Sequence, residues 1–286
     1  MFVPRKILEE KLLKLLAEDI GQGDVTSAAV VPEGLIATAE VIAKAEGVVA
    51  GIEEAVVLVE ALGLKVEVQA ADGAEVKSGQ TLLRVCGDAR TVLTAERTML
   101  NLLSRMSGIA TATRNLTEKI RKAKLATRIA ATRKAAPGLL VFDKKAVVIG
   151  GGDAHRLHLD DMLLIKDNHI ALAGSLEKAL KRAKQNASFS KKIEVEVTKP
   201  ADALKAAELG ADIVMLDNFS PKQVKEAVAL LKKAGFSGKV LLEASGGINA
   251  ENLLEYASAG VDLVSLGELT HSVKALDVSL EIAKTQ

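Results

Sequence analysis

The sequence predicts an α/β protein: a small α+β unit followed by a parallel sheet closed, or nearly closed, into an α/β barrel. Three observations predict it. Beyond about residue 125, short aliphatic runs alternate with longer helical patterns, the signature of a parallel sheet wound with helices. Hydrophobic residues make up 49% of the chain but aromatics only 2%, with no Trp, so the core is built from Ala, Val, Ile and Leu, as in sheets covered by helices on their faces. The length, 286 residues, suffices for a barrel plus a smaller unit.

Taken in order, Ile7 to Leu16 and Ile52 to Leu62 carry apolar residues at helical spacing. Ala37 to Lys44, Leu64 to Ala70 and Thr81 to Val85 read as short strands, separated by turn-rich pieces such as Asp72-Gly73 and Ser78-Gly79-Gln80. From Ala89 to about Lys122 the pattern is helical, with Leu93, Thr94, Arg97, Leu100 and Asn101 at steps of three and four. The barrel strands are expected at Ala126 to Ala131, Met162 to Ile165, Ile193 to Val197, Ile213 to Leu216, Val240 to Ala244 and Leu263 to Leu266. Helices are expected over Ser175 to Ala187, Pro200 to Leu209, Pro221 to Ala234 and Asn249 to Ala259. Periodicity does not reveal closure, so a doubly wound open sheet is the alternative.

Composition excludes several function classes. Lys and Arg total 38 against 37 Asp and Glu, so no global field draws nucleic acid or an anionic membrane, and any anion recognition is local. No charge-free stretch approaches the roughly 18 residues of a membrane span, and the reading is a soluble cytoplasmic protein. Cys86 is the single cysteine, which rules out an internal disulfide and multi-cysteine metal sites. His155, His158 and His169 match no zinc spacing. His271 reads as a packing or capping residue near the C-terminal segment.

In α/β barrels the chemistry gathers where strands end and loops begin. Here the expected strand ends carry Thr132-Arg133-Lys134, Lys166-Asp167-Asn168-His169, Glu194 with Glu196, Asp217-Asn218, Ser245-Gly246-Gly247 and Gly267. Strand alternation puts Glu194 and Glu196 on one face and Ile193, Val195 and Val197 on the other. Two carboxylates then point into the barrel, where they are costly unless paired. Glu196, nearer the rim, is the candidate ligand contact, and Glu194 the candidate buried partner of a Lys or Arg. Ser245, Gly246, Gly247 and Gly267 follow late strands, where backbone N–H groups commonly cup a phosphate. Lys166 also suits a Schiff-base lysine, but Arg133, Lys134 and Arg156 in the same neighbourhood fit a site for several anionic groups better.

The segments Glu18–Thr26, Ala95–Asn101, Thr132-Arg133-Lys134 with Pro137-Gly138, Gly150 through His155-Arg156, Leu164–His169, Met215–Asn218 and Glu243–Gly247 together resemble the quinolinate phosphoribosyltransferases, also called carboxylating nicotinate-nucleotide pyrophosphorylases. The resemblance runs over nearly the whole chain. It implies a type II phosphoribosyltransferase fold, in which an N-terminal α/β sandwich domain (residues 1–105, joined by the C-terminal segment 271–286) accompanies an open α/β barrel (106–270). It implies transfer of phosphoribosyl from phosphoribosyl pyrophosphate to quinolinate with decarboxylation, giving nicotinate mononucleotide, a step of NAD biosynthesis. Arg97, Thr132, Arg133, Lys134, His155, Arg156, Lys166, Glu196, Asp217, Ser245, Gly246, Gly247 and Gly267 would then bind substrates. Lys134, Lys166, Glu196 and Asp217 would be catalytic, Glu196 and Asp217 would hold Mg2+ largely through phosphates and water, and Arg97 would reach into a neighbouring subunit of a homodimer or larger assembly. Ala135 and Ala136 stand where the family commonly has threonines, and Ala154 where Asn often precedes the His-Arg pair. The alternatives are a paralogous phosphoribosyltransferase of different substrate, a Schiff-base lyase using Lys166, and a barrel that binds an anion without turnover.

Overall fold

The computed structural model describes residues 3–285. In chain order the elements are α1 (Arg5–Ile20), α2 (Val25–Val30), β1 (Ile36–Ala43), β2 (Gly47–Val48), α3 (Ile52–Ala61), β3 (Lys65–Val68), β4 (Glu75–Val76), β5 (Thr81–Asp88) and α4 (Ala89–Lys122). There follow β6 (Arg128–Ala131), α5 (Leu140–Ile149), β7 (Leu163–Ile165), α6 (Asp167–Ala173), α7 (Leu176–Asn186), β8 (Ile193–Val197) and α8 (Pro200–Glu208). The last are β9 (Ile213–Asp217), α9 (Pro221–Lys233), β10 (Leu241–Ser245), α10 (Leu253–Ala257), β11 (Leu263–Leu266), α11 (Glu268–His271) and β12 (Val278–Thr285). The chain divides into two compact units, residues up to 114 with 141–151 and the tail from 273, and residues 115–140 with 152–272.

The first unit is built on an antiparallel sheet of order β12-β1-β5-β3. Along β1, Ala37, Ala39, Val41 and Ala43 are buried and alternate with partly or fully exposed neighbours, as a half-buried strand requires. The C-terminal strand pairs with β1 from Ala37↔Thr285 to Ala43↔Val278, which is how the tail joins this unit. The Glu18–Thr26 motif is a helix-to-helix turn: Gly21 and Gly23 take positive φ, and the Asp24 carboxylate caps α2 by accepting the Ser27 N–H at 2.9 Å. Gly108 sits inside α4 at some cost to the helix, because a Cβ there would lie 2.3 Å from the Lys274 carbonyl oxygen.

Charge also ties α5 into the first unit, although α5 lies between two barrel strands in sequence. Arg105 of α4 grips the fully buried Asp143 carboxylate with two bonds of 2.7 Å. Lys145 of α5 meets Glu53 and, at 2.7 Å, the buried Glu54 of α3.

The second unit is the barrel sheet, six parallel strands in the order β6-β11-β10-β9-β8-β7. The strands fall where the sequence places them, within two residues at each end. Of the helices, α10 is shorter than its Asn249–Ala259 pattern, because Asn249 and Asn252 fold the lead-in into hydrogen-bonded turns. Among the described residues β6 and β7 do not pair with each other, so the barrel is open. On the free side of β6 lies the segment around Asp153, joined through Asp153 N–H to Ile129 carbonyl at 2.7 Å and Ala131 N–H to Asp153 carbonyl at 3.1 Å.

The registers sort the strand residues into two sets. Ile129, Ile165, Val195, Val197, Val214, Leu216, Leu242, Ala244, Val264 and Leu266 belong to the aliphatic core shared with the helices. The alternate residues, among them Glu194, Glu196, Met215, Asp217, Glu243, Ser245 and Ser265, face the barrel interior. Asp143→Ala should destabilise the protein by about 3 kcal/mol, because it strands Arg105 without its buried partner. Glu118→Ala, which removes an exposed pair with Arg121, should cost less than about 1 kcal/mol. Chemical denaturation of the two variants checks the contrast.

Candidate active site

The inward set and the loops that follow it enclose a cavity of about 500 Å3. It is lined by Thr132, Arg133 and Lys134 after β6, His155 and Arg156 from the segment beside β6, and Lys166 after β7. Glu196, Asp217, Asn218, Glu243, Ser245 and Ser265 complete its polar wall. A second cavity of about 380 Å3 shares Thr132, Lys134, Asp217, Asn218, Ser245 and Ser265 with it and adds Gly246, Gly247, Gly267 and His271. Twelve of the thirteen residues expected to bind substrates therefore come together in two adjoining hollows at the strand ends. Arg97 lies instead in the first unit, on α4, with its side chain 63% exposed and Glu96 at 3.8 Å.

The cavity joins cations to carboxylates. The Lys166 ammonium donates to the Glu196 carboxylate at 2.8 Å, which keeps both side chains at the rim. The start of α6 fixes the Lys166 backbone, whose N–H donates to His169 Nδ1 at 3.0 Å. His169 is thus a capping residue, and it stays apart from any histidine cluster. Burial pushes the Arg156 guanidinium below the usual arginine range, and Arg133 adds to the effect. An anion entering between these two cations relieves the repulsion.

The expectation that Glu194 pairs with a Lys or Arg is corrected. Its fully buried carboxylate has the imidazole of His155 at 3.6 Å, and burial raises its pKa. Glu243, which sequence reasoning left without a role, is as deeply buried and meets His155 Nε2 at 2.8 Å. Burial alone would lower the His155 pKa, but the two carboxylates outweigh it and hold the ring at about 10. The register of β10 against β9 turns Glu243 inward beside Met215, and no local pattern reveals that a loop histidine far away in sequence lies against it.

Asn218 was also missed. Its φ of +56 is unusual for a non-glycine residue, its N–H donates to the Ser245 carbonyl at 2.8 Å, and its side-chain amide donates to the Asp217 carboxylate at 2.7 Å. Asn218 thereby aims Asp217. Gly246 makes this possible: with φ +94 it leaves no room for a Cβ, which would fall 2.3 Å from Asn218 Oδ1. His271, expected to cap or pack, lines the glycine cavity against Gly267.

Models of the quinolinate phosphoribosyl transferase family match this chain over its N-terminal domain at residues 24–107 and its C-terminal domain at residues 109–281. The chain belongs to the quinolinate phosphoribosyl transferase family. It is 46% identical over 279 residues to a probable carboxylating nicotinate-nucleotide pyrophosphorylase of Methanocaldococcus jannaschii, covering 96% of this chain and 97% of that one. It is 41% identical over 279 residues to the carboxylating nicotinate-nucleotide pyrophosphorylase of Mycobacterium leprae, covering 96% of each. Among solved structures, the nicotinate-nucleotide pyrophosphorylase of Francisella tularensis superposes with a TM-score of 0.89 at 37% identity, over 98% of both chains. The family fold, a small sheet domain and an open parallel barrel, is the one described above.

Gly246→Ala should lower stability by about 1–3 kcal/mol, since the methyl meets Asn218 and the left-handed backbone adds strain. Gly247→Ala, at φ +63 but with nothing within 4 Å of its Cβ position, should cost only about 1 kcal/mol. Thermal unfolding of the pair distinguishes steric from conformational cost.

Proposed function

We propose that this protein transfers the phosphoribosyl group of phosphoribosyl pyrophosphate to quinolinate and decarboxylates the product, giving nicotinate mononucleotide, pyrophosphate and carbon dioxide. The observation that carries the reading is the composition of one cavity: Arg133, Lys134, His155, Arg156 and Lys166 face Glu196 and Asp217, beside a hollow walled by Gly246, Gly247 and Gly267. A donor with several phosphates and an acceptor with two carboxylates need many cations, while the sugar needs carboxylates.

In the reaction the quinolinate ring nitrogen attacks the anomeric carbon, and the bond from that carbon to pyrophosphate breaks with its electron pair leaving on oxygen. The sugar passes through an oxocarbenium-like state, whose positive charge Glu196 and Asp217 stabilise. Arg133 and Arg156 offer paired N–H groups to the planar carboxylates. Lys134 and Lys166 neutralise phosphate oxygens, and Ser245, Gly246, Gly247 and Gly267 receive the 5-phosphate. Once the ring nitrogen is quaternised, the carboxylate beside it leaves as carbon dioxide, its bonding pair stays on the ring carbon, and that carbon is then protonated. The protein's work is positioning and charge neutralisation.

The donor set also suits Mg2+. Glu196 and Asp217 supply hard carboxylate oxygens from the ends of the adjacent strands β8 and β9, and Mg2+ characteristically takes one or two carboxylates with waters and substrate phosphates. Bound there it would offset the charge of the departing pyrophosphate. Arg97 supports a shared site: it is an exposed arginine on the first unit, and in a homodimer or larger assembly it would complete the neighbouring subunit's acceptor pocket.

With quinolinate, phosphoribosyl pyrophosphate and Mg2+, pyrophosphate and carbon dioxide should appear in equal amounts, and nicotinic acid should give neither. Turnover of nicotinic acid instead would reassign the acceptor. Arg97→Ala and Lys134→Ala should each lower kcat/KM by about a hundredfold or more. Mixing the two inactive proteins under conditions of subunit exchange should restore part of the activity, because one site per mixed dimer regains both groups. No recovery after confirmed exchange would place Arg97 outside the neighbour's site.

A further inference from the structure

His155 and Arg156 are neighbouring residues at the floor of the cavity, and the His155 ring faces two buried carboxylates. Glu194 and Glu243 are both 0% exposed, and both Glu194 oxygens, Glu243 Oε1 and Ser265 Oγ lack a hydrogen-bond partner among the described residues. Unpaired buried carboxylates cost several kcal/mol, so this floor is sustained by a positive centre. The His155 ring provides one: its Nε2 lies 2.8 Å from Glu243 and 3.6 Å from Glu194, and a carboxylate acceptor requires that nitrogen to carry the hydrogen.

The backbone holds the ring there from the other direction. His155 has φ +51, in the left-handed region that a residue other than glycine occupies only when its surroundings impose it. What imposes it is Asp153, whose carboxylate accepts the His155 N–H at 2.7 Å and faces Arg128 at 3.3 Å, while its backbone bridges β6. Nε2 is thus committed to the glutamates, and Nδ1 is left as the ring nitrogen for a ligand in the cavity.

We propose that Glu243, assisted by Glu194, is a positioning residue that locks His155 as a cation with its Nδ1–H presented to an acceptor carboxylate. This deepens the proposed function and, for the identity of that carboxylate, rests on it. The charged groups facing His155 are Glu194 from β8, Glu243 from β10, and Asp153 and Arg156 of its own segment, with Arg133 next to Arg156. Raised to about 10, the His155 pKa keeps the ring charged at neutral pH, and the charge is lost only as pH rises through that value. Without the negative charge of Glu243 the loss should move down towards the ordinary histidine range, about 6.5.

The test compares the intact protein with Glu243→Gln, which keeps the shape and removes the charge. For quinolinate, kcat/KM of the variant should lie within about threefold of the parent at pH 6 and fall about tenfold or more below it at pH 8, chiefly through KM. A merely structural glutamate would lower activity equally at both pH values, and that result would overturn the proposal. Imidazole 15N NMR, with the signal assigned by its loss in His155→Gln, reads the same point without turnover: the parent ring should be doubly protonated at pH 8. A neutral ring in the parent at that pH overturns the clamp even if Glu243→Gln does not fold. A charged ring in a protein inactive on quinolinate would leave the clamp standing and discard the substrate.

Discussion

The site depends on one constraint: in a parallel barrel every second strand residue points inward, and here several of those residues are acids. Glu194, Glu196, Asp217 and Glu243 occupy inward positions on three adjacent strands. Glu194 and Glu243 are fully buried there, where water cannot offset their charge. Cations must therefore come from the loops, and Lys166 on Glu196 and His155 between Glu194 and Glu243 are the partners that arrive. The same cations line the cavity, so the groups that balance the buried acids are also the ones that the proposed function assigns to anionic substrates.

The opening in the barrel serves this arrangement. β6 and β7 are the edge strands, and the gap beside β6 is occupied by the Asp153 segment, which carries His155 and Arg156. A closed barrel would have used those backbone groups in a further strand pair. Here the open side lets a loop deliver two cations to the interior from between strands, while the remaining functional groups come from strand ends in the usual way.

Much of this was legible in the sequence. Aliphatic runs such as Ile193–Val197 and Leu263–Leu266 have the length and the bounds of the strands they form, because alternation and turn chemistry are local properties. The inward direction of Glu196 follows from strand phase, and the rim positions of Lys166, Asp217 and the glycines after β10 follow from where the strands end. Asn218 was hidden because its strained backbone and its bond to Asp217 depend on the close approach of the β10 loop. His271 packs against Gly267, as a packing residue should, and the short helix after Gly267 also brings it to the edge of the glycine cavity.

Sequence by itself determined the order of the six barrel strands and of the longer helices, the inward face of Glu194 and Glu196, the family, and most of the residues that line the cavity, since each rests on spacing along the chain or on recognisable motifs. Tertiary structure alone decided which charges pair. His155 lies 88 residues from Glu243 and Lys166 lies 30 from Glu196, and no local pattern links such positions. It also decided that α5, flanked by barrel strands in sequence, groups with the first unit, held by Arg105 and Lys145. The physical reason is the same in each case: a buried charge takes its partner from whatever the fold brings within about 3 Å, and that distance is set by the packing of whole elements.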